Sequence, residues 1–91
     1  MLSPDGKLLY VAGGLGRSVI TVDIAGKKVS RSIDDVGGRP CGIAISRDGK
    51  TLYTANGPSN DVAIIDAASG QVGKRVKVEG GPWGLVLAAP P

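Results

Sequence analysis

At 91 residues the chain has room for one small domain, which buries only about two-thirds of its unfolded surface and so gains from association. Its residues are 42% hydrophobic, yet Phe is absent and Trp occurs once, so a core must come from Val, Ile, Leu and Ala. With no His and one Cys, the commonest general base, the usual haem ligand, most zinc sites and any internal disulfide are excluded. The net charge of +3 would permit an anionic partner. However, Lys27, Lys28, Arg31, Lys74, Arg75 and Lys77 cluster around predicted outer strands, where charge deters edge-to-edge pairing.

In chain order, Met1-Leu2 leads straight into Ser3-Pro4-Asp5-Gly6-Lys7, a turn whose Gly accepts positive φ between apolar runs. Alternation then predicts strands over Leu8–Ala12, Ser18–Asp23 and Lys28–Ile33, the last entered through Ala25-Gly26. Gly37-Gly38-Arg39-Pro40 opens the strand Gly42–Ile45, and Arg47-Asp48-Gly49 turns into Thr51–Ala55. Strands over Asp61–Asp66 and Gln71–Val78 follow, and Gly80-Gly81-Pro82 leads to a last apolar strand beginning at Gly84. In the strand after Gly70, Val76 and Val78 alternate with Lys77, as an exposed outer strand should.

This order is one unit written twice at an offset of 43 residues. Ser3 matches Ser46, Tyr10 matches Tyr53, Val19 matches Val62 and Asp23 matches Asp66, which gives repeats of about 3–45 and 46–88 in a single domain spanning 1–91. A period of this size, built from short strands and Gly-rich turns, predicts an all-β fold of two four-stranded propeller blades. The strings SPDGKLLYVAG, SVITVDIAGKKV and GGRPCGIAIS, with SRDGKTLYTANG, DVAIIDAASGQV and GGPWGLVLA, resemble the YVTN family of β-propeller repeats. That family sits among the quinoprotein amine dehydrogenase-like propellers, and the resemblance implies a secreted or periplasmic setting. Met1-Leu2 itself carries no signal-peptide pattern, and no apolar run is long enough to span a membrane.

The strand order is circularly permuted. The chain starts at the end of an innermost strand and finishes with another, Gly84 to Ala88, that has no blade of its own. Two blades do not make a ring, since propellers hold roughly four to eight. The expected partner is therefore the chain itself, as a homotrimer or homotetramer of six or eight blades. Leu85, Val86 and Leu87 would pair with Leu8, Tyr10 and Ala12 of another copy, head to tail. The alternative is a fragment of a larger propeller with quinoprotein or lactonase-like chemistry.

The individual motifs favour structure over catalysis. Gly13-Gly14-Leu15-Gly16-Arg17 joins two antiparallel strands and lacks a Walker lysine, so it is a loop and not a phosphate cradle. Asp5, Asp23, Asp48 and Asp66 recur once per repeat, as turn residues do. The innermost strands, Gly-Ile-Ala-Ile and Gly-Leu-Val-Leu, offer no metal ligand. No catalytic residue, metal or cofactor is expected, nor nucleic acid, because aromatic residues do not interleave with the basic ones, nor a membrane, because the longest apolar run near either end is too short to span it. A small ligand would sit at the channel mouth, where Arg17, Arg39, Cys41, Asn56, Asn60, Asp61 and Trp83 gather in the propeller scaffold.

Overall fold

The computed structural model describes residues 1–12, 17–82 and 84. Seven strands form in it: β1 Leu8–Ala12, β2 Val19–Asp23, β3 Lys28–Ile33, β4 Pro40–Ile45, β5 Thr51–Asn56, β6 Asp61–Asp66 and β7 Val72–Lys77. They make two antiparallel sheets, ordered β1-β2-β3 and β4-β5-β6-β7. The second is a complete four-stranded blade. At the inner edge of the first, Met1–Ser3 run beside β1: Leu2 bridges Leu9, and the Tyr10 amide donates to the Met1 carbonyl at 2.8 Å. The expected final strand at Leu85–Leu87 lies outside the described residues.

Both Asp-Gly turns close by the same polar triangle. Ser3 Oγ donates to Asp5 Oδ1 at 2.7 Å, the Lys7 amide donates to that oxygen at 3.0 Å, and the Leu8 amide donates to Ser3 Oγ at 3.0 Å. Ser46, Asp48, Lys50 and Thr51 repeat the pattern at 2.6, 3.0 and 3.0 Å. Gly6 and Gly49 take φ of 73° and 75°, a left-handed conformation that other residues adopt with strain. The serine hydroxyl, then the lysine amide, hold the Asp5 and Asp48 carboxyls below the ordinary value of 3.8.

A depressed carboxylate pKa adds stability that is present above the unfolded value and is lost as pH falls through the folded one. The thermal midpoint should therefore drop as pH is lowered below 3.8, and a chain carrying Asp5→Asn and Asp48→Asn should show a shallower acid limb. An unchanged limb in that variant would refute this origin.

Bulges recur with the repeat as well. Ser30 is the extra residue of β3 opposite Thr21/Val22, and Gly73 is the extra residue of β7 opposite Ile64/Ile65. Each lets the outer strand twist away from its neighbour. β4 begins two residues earlier than the sequence predicts, because Pro40 can open a strand without an amide and the bulge at Cys41 restores register with Asn56.

One face of each sheet forms the core. Tyr10, Val19 and Ile33 from the first meet Leu52, Ala63 and Ile65 from the second, with Val36 from the connection between them. The Leu8 and Tyr10 side chains, expected at a joint between chains, serve this joint within the chain. The opposite faces contribute nothing to the cluster: Ala55 is buried, yet it lies outside it.

Candidate functional site

Two of the expected mouth residues line one hollow. Arg39, held at φ 47°, precedes the bulged start of β4, and that bulge turns Cys41 outward. Arg39 and Cys41, together with Gly57, Pro58 and Gly81, surround a hollow of about 210 Å³. The Cys41 thiol donates to the Arg39 carbonyl at 3.1 Å. Asn60 braces one wall: its Oδ1 accepts from the Gly81 amide at 2.9 Å, and its carbonyl accepts from the Val78 amide at 2.8 Å.

The other expected residues stand elsewhere. Arg17 pairs with Asp35, Nε to Oδ1 at 3.1 Å, and both are exposed, so the pair contributes about 0–1 kcal/mol. Trp83 lies outside the described residues. Asn56 is fully buried and acts as a clamp. Its Nδ2 donates to the Val36 carbonyl at 3.1 Å and to Asp61 Oδ1 at 2.8 Å. Arg75 joins the same clamp, Nη1 donating to the Val36 carbonyl and Nη2 to the Asp35 carbonyl. Asp61 lies across from Asn56 at the β5–β6 turn, with its other oxygen 3.9 Å from Arg75.

Sequence reasoning placed Arg75 on an outer strand for its charge and missed this anchoring role. The alternation of β7 gives no sign of it, because the carbonyls it reaches lie in a loop 39 and 40 residues earlier.

Chemically the hollow offers a guanidinium, a thiol and backbone carbonyls. A guanidinium suits an anionic or carbonyl group. The thiol's hydrogen bond goes to a backbone carbonyl, which is not a base. Asp23 and Asp66 are occupied as turn residues, accepting from the Gly26 amide at 3.2 Å and the Ala68 amide at 3.0 Å. Among the described residues no group of three or more His, Cys, Asp or Glu is placed to hold a metal.

Similar architecture recurs in known structures. A chain of Kuenenia stuttgartiensis hydrazine synthase superposes with a TM-score of 0.86 and 34% identity, over 91% of this chain and 23% of that one. The β-propeller domain of Myceliophteria thermophila Cps50 (Swd1) gives 0.81 at 20% identity, over 92% and 26%. Dihydro-heme d1 dehydrogenase NirN gives 0.73 at 27% identity, over 82% and 16%.

No family model matches the chain, and no curated protein does. The sheet order, the repeated turns and these likenesses define the class: the chain is a run of β-propeller blades. It spans about a quarter or less of the length of the propeller chains it resembles.

Proposed function

We propose that the chain is a non-catalytic propeller scaffold of the YVTN type, completed head to tail by further copies into a closed ring, with a small-ligand site at the Arg39 and Cys41 hollow. The supporting observation is the unequal burial of repeated positions. Tyr10 is 4% exposed and Ile33 2%, whereas their counterparts Tyr53 and Val76 are half-buried and 49% exposed. The chemistry is the same in each pair, but only the first sheet has a neighbouring blade on that face. Three or four copies would give six or eight blades, within the range propellers use.

Strand exchange between copies would start from one end of β1. Tyr10 and Leu9 already face Met1 and Leu2, while Val11 and Ala12 have no partner on that side among the described residues. In the register of β4 on β5, Gly84 and Leu85 of another copy would stand opposite Ala12 and Val11. Val86 and Leu87 would then have to displace Met1 and Leu2. The 34% identity to hydrazine synthase over 23% of that chain favours a second reading, in which these blades belong to a longer polypeptide that supplies the rest of the ring.

Light scattering separates the two. A discrete mass of three or four 91-residue chains is the expected result. A folded monomer, or an open-ended filament, would overturn self-completion.

A further inference from the structure

The joint inside the chain contains a hole with a lid. On the first sheet Leu8, Thr21, Ser30 and Arg31 line a hollow of about 340 Å³, bordered by Ala67 and Ala68 from the β6–β7 turn. Ala67 packs against the core, and Arg31 Nη1 donates to the Ala68 carbonyl at 2.7 Å. This contact joins one blade to the next.

The second sheet carries the same hollow one repeat later. Thr51, Ile64, Gly73 and Lys74 take the places of Leu8, Thr21, Ser30 and Arg31, and they line a hollow of about 540 Å³. No turn from a further blade covers it among the described residues. The turn that matches Ala67-Ala68 is Ile24-Ala25, and there Ile24 is 40% exposed. The chain thus ends on one side in an uncovered hole and on the other in an apolar knob.

Their sizes change together. Gly73 stands where the first sheet has Ser30, which removes a side chain from the wall, and Ile64 replaces Thr21, which makes the floor apolar. Ile24 is correspondingly larger than Ala67. A wider hole is matched by a bigger knob, and burying an isoleucine side chain favours association.

From this we infer that Ile24 of a second copy of this chain seats in the hollow formed by Thr51, Ile64, Gly73 and Lys74, with Lys74 Nζ donating to the Ala25 carbonyl as Arg31 does to Ala68. The inference rests on the self-assembly reading and deepens it by naming both halves of the contact. The contact is heterologous, because the knob and the hole lie on different sheets, so copies add in one direction until the ring closes.

Two variants test it. Ile24→Glu removes the knob and leaves the hole; Ile64→Glu spoils the hole and leaves the knob. Each alone should run as a monomer where the wild type is fully assembled, with association weakened about a hundredfold or more. Mixed in equal amounts, they should form a one-to-one dimer and nothing larger. If the wild type assembles but Ile24→Glu assembles equally well, or the mixture stays monomeric, the knob-and-hole contact is wrong while self-assembly stands. A monomeric wild type would instead overturn both.

Should a glutamate variant lose its sheet signal in circular dichroism, cysteine chains decide. Ala25→Cys and Lys74→Cys, each with Cys41→Ser, should give a disulfide-linked dimer only when mixed. Failure to cross-link would reject the contact.

Discussion

Tyr10→Ala should remove about 3–5 kcal/mol of stability, the usual loss when a large buried aromatic is cut to Ala. A domain of this kind holds about 5–15 kcal/mol in total, so the variant should lose a large fraction of its stability. The size of the loss follows from position. Tyr10 sits in the cluster that joins the two sheets among the described residues, at 4% exposure. Among the described residues, both sheets place their large buried apolar side chains in that cluster.

Its repeat twin supplies the control. Tyr53→Ala removes the same atoms from a half-buried position on the open face, so in dilute, monomeric protein its loss should be less than half as large. Urea unfolding measures both. Equal losses in the dilute chain would contradict the assignment of covered and open faces. Alkaline pH probes the same spot, since burial pushes the Tyr10 phenol above its ordinary 10.0. The unfolded chain then ionises first, and stability falls as pH rises past that value.

The fold was legible because its information is local. Asp-Gly turns and two-residue alternation each act over a few neighbouring residues, and the 43-residue echo writes the same local pattern twice, so together they fix strands and their order. What stayed hidden depends on contacts between distant segments. Ser30 and Gly73 look like ordinary strand residues until their partner strands show them to be extra. Asn56, followed by Gly57 and Pro58, reads as part of a surface turn, yet it closes β5 beneath the Val36-Gly37 connection and is fully buried. Of the predicted mouth, Arg39 and Cys41 could be placed together because Pro40 and the strand start fix them locally. Arg17 could not, because its partner Asp35 lies on another connection.

Among the described glycines, Gly37→Ala should be the most damaging change to alanine, with an expected loss of about 3 kcal/mol or more. Two costs combine. Gly37 has φ 147°, a conformation that L side chains rarely adopt, and strain of this kind costs about 1–3 kcal/mol. A Cβ there would also collide with Asn56 Nδ2 and stand 2.6 Å from its Cγ and 3.0 Å from its Cβ. Asn56 has nowhere cheap to go, because it is fully buried and tied to the Val36 carbonyl and to Asp61. Moving it would leave buried polar groups unpaired, at about 1–3 kcal/mol each, and would disturb the carbonyls that hold Arg75. Gly80 separates the two costs: it has φ 91° but nothing within 4 Å of a new Cβ, so Gly80→Ala should show the strain alone. Adding Asn56→Ala to Gly37→Ala removes the clashing amide and leaves only the tight Cβ contact, so the double variant should lose less than the sum of the two single changes. Urea midpoints for the four variants give the comparison. A Gly37→Ala chain no less stable than Gly80→Ala would mean that Asn56 yields freely and is not the clamp at this joint.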